Sequence, residues 1–432
     1  DSHCHLDFES FEGDREECIE RARTKGINTL LTISTHVSRF DNVLKLAESS
    51  NNIFCSVGIH PHHVSEEPKI FSRELIKLSE PKINTLKIIE LMKNNNISFE
   101  QLKNVIKKFN QVKVHVFGDT IIDTYTSTNL IGGNTKTPTP SVLFHSKKDY
   151  LGGAGIVAKH LSRAGAKVTF TTVLGKDKFN KFVRDDLKKN KIKFNIIEDL
   201  TRPTTNKNTI IANNYKMLKI DTLDNQPLRE KIVEKIERII KSDKSNAVIF
   251  SDFRHGFFNK VSIPRFCSSI KKEVFKAADS QVATRWGNIL DYKNFNLITP
   301  NEREARFSLA DQDSGIGDLS RGLKKNSSYK NLILKLGERG IFVDGIEKNS
   351  SIYFALPSFT NQIVDNNGSG DALLAYSTLA LKVSGSIVMA SIIGSIAASS
   401  ECELEGNIPI SSKNIVEKIE FIKNETKYKF QK

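Results

Sequence analysis

The sequence predicts an α/β protein, with a mostly parallel sheet covered by helices on both faces. Three observations lead there. From Gln111 onward, short apolar runs alternate with helical segments. Several of those runs end on polar residues that packing alone does not require. Finally, Asp365 to Leu374, DNNGSGDALL, sets two glycines and an acid ahead of a long alanine-rich apolar run.

The elements follow in order. Up to about Lys82 the pattern gives a strand at Ile27 to Ile33, a helix at Val37 to Ser49 and a strand at Ile53 to Val57. Residues 83–110 carry apolar and lysine positions at helical spacing (LKIIELMK, FEQLKNVIKKF) and read as a helical connector. The large domain, residues 111–432, opens with a strand at Val112 to Phe117 that ends on Gly118-Asp119. A helix at Gly155 to Arg163 and a strand at Val168 to Val173 come next, then strands at Ala247 to Phe250, Asn296 to Ile298 and Leu332 to Leu336. In such folds ligands bind beyond the carboxyl ends of the strands. The most apolar stretch, Ser386 to Ser399, is too short to span a bilayer and is interrupted by serines and Gly394. Its small residues indicate a tightly packed internal helix.

Composition narrows the function. A 432-residue chain with 38% hydrophobic residues and 11 prolines suits one large domain plus a smaller one, globular rather than disordered. The net charge of +14 is spread over lysines that alternate with acids, as in LREKIVEKIERIIK. That is a solvated helix face, so phosphate-bearing small molecules fit better than nucleic acid. Five dispersed cysteines without CxxC spacing favour neither a disulfide framework nor a zinc knuckle. With no signal peptide in view, a cytoplasmic protein without membrane attachment is expected.

The chemistry concentrates in a few segments. Gly368, Ser369 and Gly370 sit where a helix should begin, and free amides plus the positive end of the dipole suit a phosphate there. Asp371 would then be the group beside it able to accept a proton; the alternative is a capping turn with a first-turn carboxylate. Asp119 and Asp123 (GDTIID) follow a strand and can accept bonds from sugar hydroxyls or simply form a turn. Gly152 and Gly153 precede a helix, allowing close ligand approach or tight packing. Asn301 and Glu304 (ITPNEREAR) are spaced to help hold a hydrated cation, or to make a capping box. Gly337 and Gly340 (LKLGERG) form a turn suited to a base or ribose, or a plain hairpin.

Taken in order, GDTIIDTY, LGGAGIVAKHLSRAGAKVTF, PTTNK, SDFRHG, ITPNEREAR, LGERG and DNNGSGDALLA resemble the ribokinase/PfkB family of sugar kinases. The resemblance implies a ribokinase-like, Rossmann-type sandwich with a small β lid, and an ATP-dependent kinase acting on a sugar or sugar phosphate. It implies Asp371 as general base, Gly368 to Gly370 as anion hole, and Asn301 with Glu304 organising Mg2+ and phosphate. Gly337 and Gly340 match the nucleotide loop, and Asp365 a residue near a monovalent-cation (K+) site. Asp119, Asp123, Gly152 and Gly153 match sugar-binding positions, and many members are homodimers. TPNEREAR, ADSQ and EGNIPIS look closest to the branch acting on heptose 7-phosphate in ADP-heptose synthesis. Two positions depart from the pattern. Ile156 stands where asparagine is common, and Thr209 near a usual arginine, which leaves Lys207 and Arg254 as phosphate partners and heptose 7-phosphate as a lead.

The amino-terminal DSHCHLD and GIHPH resemble the start of a TatD-type metal-dependent deoxyribonuclease. His3 and His5, two apart at a strand end, can point at one metal. The resemblance stops near Lys82, and a (β/α)₈ barrel needs about 250 residues. Residues 1–82 therefore read as a partial TIM-barrel-like fragment, with metal-dependent hydrolysis of DNA as the alternative activity. A non-catalytic nucleotide- or sugar-binding regulator is a third reading.

Overall fold

The computed structural model describes residues 3–50, 52–67, 75, 83–133, 139–282, 287–360, 367–404 and 406–430. Asp365 therefore lies outside the described residues. The chain divides into two compact units, Asp1–Ile83 and Asn84–Lys432.

In the first unit, strands β1 (Leu30–Ile33) and β2 (Ile53–Ser56) pair in parallel, Leu30 opposite Ile53, and Cys4 makes an isolated parallel bridge to Thr32 of β1. Leu6, Leu30 and Ile53 form its small core, under helices Arg15–Thr24 and Phe40–Ser49. The first strand starts at Leu30, later than the sequence pattern places it. Gly26 turns the chain in a left-handed conformation, and Ile27 is exposed rather than paired.

The second unit is built on strands β3 (Lys113–Gly118), β4 (Thr120–Gly133), β5 (Pro140–Gly153), β6 (Lys167–Leu174), β7 (Lys193–Glu198), β8 (Thr205–Ala212), β9 (Tyr215–Thr222), β10 (Ala247–Asp252), β11 (Phe275–Ser280), β12 (Leu297–Ile298), β13 (Leu332–Lys335), β14 (Ile341–Glu347) and β15 (Ser350–Leu356). Nine form one sheet in the order β15-β14-β13-β12-β11-β10-β3-β6-β7, parallel from β13 to β7, with β14 and β15 antiparallel at one edge. The sheet matches the mostly parallel arrangement that the sequence predicts. Strand β10 reads AVIFSD and is buried at every position, because a parallel strand is covered on both faces.

Alternation sorts those residues onto two cores. Val114, Val116, Ala247 and Ile249 join helices Ala154–Arg163, Ser369–Ser384 and Ile387–Cys402 on one face. Phe117, Val248 and Phe250 pack with helices Glu230–Ser242 and Ser262–Ser269 on the other. The helix Ile387–Cys402 is buried over most of its length, its serines included, as an internal helix must be. It approaches the helix Ser369–Ser384 so closely at Gly394 that a Cβ there would overlap the Ser377 side chain.

A second sheet of four strands, in the order β5-β4-β8-β9, supplies the small lid; β4 pairs antiparallel with β5 and parallel with β8. Residues 83–110 form helices Ile83–Asn94 and Phe99–Lys107. The second is started by a capping box of Ser98 and Gln101. Its apolar face (Leu102, Val105, Ile106) is part of the same core as the helix Ser369–Ser384. Among the described residues, no helix is long and apolar enough to cross a membrane.

Leu102 is fully buried. Leu102→Ala should therefore lower stability by about 2–5 kcal/mol, read as a shift in the urea midpoint. A shift near zero would mean that these helices do not belong to the core of the second unit.

Candidate active site

The carboxyl ends of β3, β10, β11, β12 and β13 lie along one edge of the sheet, as parallel pairing demands. From that edge project Asp119, Asp252, Asp279, the Asn301–Glu304 turn and Lys335. The helix Ser369–Ser384 starts among them, with Gly368 just ahead in a left-handed conformation at φ 94°. The amides of Asp371 and Ala372 both turn back to the Gly368 carbonyl, at 2.8 and 2.9 Å. A helix start leaves its first amides without intrahelical partners. Gly370 brings that start against the end of β13, since a Cβ on it would stand 3.2 Å from Lys335 Nζ.

Lys335 is the electrostatic centre of this edge. Only 15% of its side chain is exposed, and its Nζ donates to Asp279 Oδ2 at 2.8 Å. Burial opposes its charge, but Asp279, Glu304 and Asp371 outweigh burial and hold its pKa above the ordinary lysine value. The same fields act in reverse on the acids. Asp371, 7% exposed, has its pKa pushed far up by burial and by the Asp279 charge, with Lys335 pulling it down. Glu304 is pushed up by burial, again against Lys335. One ammonium thus serves a group of carboxylates.

Asn301 and Glu304 make a full capping box: Asn301 Oδ1 accepts from the Glu304 amide at 2.8 Å, and Glu304 Oε2 from the Asn301 amide at 2.6 Å. The structural alternative raised by the sequence is therefore realised. The same turn also directs Glu304 into the field of Lys335, so the two readings do not compete. Asn301, Lys335 and Gly337 line a cleft of about 920 Å³, together with Arg303, Arg306 and Phe307. Gly337 and Gly340 bound the turn of the antiparallel β13–β14 hairpin, both in left-handed conformations.

On the lid side, Asp123 accepts from Asn407 Nδ2 at 2.6 Å, and Lys207 is its direct neighbour across the β4–β8 ladder. Burial raises the Asp123 pKa while Lys207 lowers it. A Cβ at Gly152 would overlap the Asp123 carboxylate, and one at Gly368 would come within 3.0 Å of Asn407 Oδ1. Asn407 therefore ties the lid acid to the start of the helix Ser369–Ser384. Gly153 closes β5 at φ 59° just before the helix Ala154–Arg163, where Ile156 is buried.

Asp119 is placed differently from Asp123. Its two carboxylate oxygens accept from the main-chain amides of Phe253, His255 and Phe257 at 3.1–3.3 Å. It anchors the loop after β10. Arg254, in that loop, lies 3.9 Å from Asp252. Asp252 itself accepts from Ser280, Asn288 and Tyr292 and is pushed up to about 7, chiefly by burial. Sequence reasoning did not single out Lys335, Asp279, Asp252 or Asn407 as site residues. Lys335 and Asp279 lie next to or inside recognisable motifs, but only strand register reveals that they meet.

In the first unit, the expected pair His3 and His5 is brought together, Nε2 to Nε2 at 3.2 Å, with His5 Nδ1 3.0 Å from the Ile33 carbonyl.

A family model described as pfkB family carbohydrate kinase matches residues 111–413, well over half of the chain. The chain belongs to the pfkB carbohydrate kinase family. A second model, TatD related DNase, matches residues 1–129, running past Lys82 into the start of the kinase match. The chain is similar to the bifunctional protein HldE of a Nitratiruptor species, 25% identical over 294 residues, covering 66% of this chain and 60% of that protein. It is also similar to HldE of Campylobacter jejuni, 27% identical over 312 residues, with 70% and 64% covered. It thus spans about three-fifths of the length of these curated relatives. Among solved structures, Escherichia coli phosphofructokinase-2 in its tetrameric inhibited form matches with a TM-score of 0.59 at 16% identity, covering 72% of this chain and 99% of that one. Arabidopsis thaliana ribokinase complexed with ribose and ATP matches with 0.57 at 16% identity, with the same coverage. These likenesses establish the ribokinase-like fold of this pfkB member.

The left-handed turn at Gly368 gives a direct check. Gly368→Ala should cost about 1–2 kcal/mol for the backbone conformation alone, since a side chain there would also meet Glu401 2.6 Å away. An unchanged thermal midpoint would contradict this geometry.

Proposed function

We propose that the chain is an ATP-dependent kinase that transfers the γ-phosphoryl group to a hydroxyl of a sugar or sugar phosphate. The observation that carries the proposal is Asp371, buried in the first turn of a helix that begins on Gly368–Gly370, with the Lys335 ammonium beside it. Family membership and the ribokinase-like fold agree with that reading.

In this reading the nucleotide occupies the cleft lined by Asn301, Lys335 and Gly337, and its terminal phosphate meets the amides at Gly368–Gly370. The acceptor sugar lies on the lid side against Asp123 and Lys207, in reach of the helix start through Asn407. Asp371 takes the hydroxyl proton as the oxygen bonds to phosphorus and the bond to the ADP oxygen breaks. Amide donors and Lys335 stabilise the charge on the transferred group, the larger part of catalysis in phosphoryl transfer. Burial, then the Asp279 charge, raise the Asp371 pKa, and Lys335 is the group that opposes them.

The residues present fit a magnesium ion. The donors near Lys335 are oxygens, carboxylates outnumber the lysine, and Asp279 Oδ1 is buried without a hydrogen-bond partner among the described residues. Asn301, Glu304 and Asp279 would hold it through solvent, and the ion would neutralise phosphate charge. A monovalent cation such as K+ would be served by Asp365, on sequence grounds. Heptose 7-phosphate is the lead acceptor, supported by the branch resemblance and the HldE relatives. Lys207, half-buried and flanked by Asp123 and Asp221, is the cation we assign to its phosphate.

Asp371→Asn should lower kcat by about 10²–10⁴-fold with heptose 7-phosphate or whichever sugar a panel identifies, while calorimetry shows ATP binding retained. Undiminished turnover would refute the assignment. A second reading, DNA hydrolysis through the first unit, is favoured by the TatD match and the His3–His5 contact. Chelator-sensitive DNA cleavage that survives Asp371→Asn would support it.

A further inference from the structure

The first unit gathers histidines beyond His3 and His5. His36 follows β1, and His63 and Glu66 lie in the segment after β2, so all three stand past the carboxyl ends of the parallel pair. One donor atom from each lies within 4.8 Å of the others. Glu66 Oε2 is 3.5 Å from His36 Nε2 and 3.2 Å from His63 Nδ1. The two imidazole rings are 4.1 Å apart between centroids. None of the three belongs to DSHCHLD or Gly58–His62, the residues that carry the resemblance to a metal-dependent deoxyribonuclease.

From this geometry we propose that His36, His63 and Glu66 form a binding site for a first-row transition-metal ion of the zinc class. Ligands held at about 2.0–2.2 Å around a tetrahedral ion stand roughly 3.4 Å from one another. Two of the three separations already fall within a few tenths of an ångström of that value, and closing the third needs only a side-chain adjustment. Two imidazoles with a single carboxylate select zinc, nickel or copper over magnesium or calcium. The His36 ring is already oriented for coordination, because its Nδ1 is 2.9 Å from Thr35 Oγ1, which leaves Nε2 as the coordinating nitrogen.

The backbone around the site is held before any ion arrives. The His60 amide donates to the Thr35 carbonyl at 2.9 Å, and Ser34 Oγ to the Gly58 carbonyl at 3.2 Å. The Ser38 amide donates to Glu67 at 3.0 Å. Within the second segment, the Glu66 amide turns back to the His63 carbonyl at 3.1 Å, which keeps the carboxylate near His63 Nδ1. The ion would pin the segment after β2 to the one after β1. Three protein donors leave a fourth position for water or another ligand.

The test uses the full chain, stripped with chelator and titrated with Zn2+ by calorimetry, and with Co2+ followed by visible absorption. The unsubstituted chain should bind zinc and give the intense bands of a four-coordinate cobalt site. His36→Ala, His63→Ala and Glu66→Gln should each weaken that site by about 100-fold or more, beyond the usual loss from an outer-shell change, and remove the cobalt bands. His3→Ala with His5→Ala should leave the site intact. Far-UV circular dichroism and retained ATP binding show that each variant is folded. The proposal is overturned if the chain takes up no zinc, or if His36→Ala, His63→Ala and Glu66→Gln leave zinc affinity, stoichiometry and the cobalt spectrum unchanged.

Discussion

The ammonium of Lys335, 2.8 Å from Asp279 and in the fields of Glu304 and Asp371, is the interaction on which the carboxyl edge of the sheet depends. Carboxylates brought together out of water resist ionisation, and here burial is the largest influence on both Glu304 and Asp371. A buried ion pair is weak ground for stability, because desolvation cancels much of the attraction. In the proposed reaction its value is functional. It opposes the rise in pKa of an acid at a helix start, and it places positive charge where the proposed phosphate would arrive. The fold supplies the geometry: β13 sets Lys335, β11 sets Asp279, the turn after β12 sets Glu304, and the tight approach at Gly370 brings Asp371 within range.

Much of this edge was legible in the sequence because its signals are local. Two glycines, an acid and an alanine-rich apolar run announce a helix start, and the helix Ser369–Ser384 begins there. Strand and helix alternation gave the parallel sheet, and the small residues of the apolar stretch Ser386 to Ser399 gave an internal helix. What stayed hidden depends on register. Asp279 and Lys335 are separated by 56 residues, and within LILKLG the lysine looks like any solvent-facing position on a strand. Asp119 and Asp123, four apart in one motif, look equivalent in the sequence. Pleat and loop then assign one to three main-chain amides and the other to the lid.

Asn407 shows the same principle at longer range. It is a polar residue in a segment noted only as a branch marker, yet its amide links Asp123 on the lid strand to the neighbourhood of Gly368. The histidines of the first unit follow suit: His36 belongs to no motif, and only the parallel pairing of β1 with β2 brings it to His63 and Glu66. In both units, parallel strands put their carboxyl ends side by side, so residues far apart in sequence share one chemical environment.

The pH dependence of kcat/KM in Lys335→Met, set against the unsubstituted chain, tests the central claim most directly. A base whose pKa is raised by burial and lowered by a neighbouring ammonium must be ionised to act, so activity climbs with pH through its pKa. Removing the ammonium should move that acid limb to higher pH and reduce the plateau. An acid limb that stays in place, with the plateau unchanged, would contradict the account.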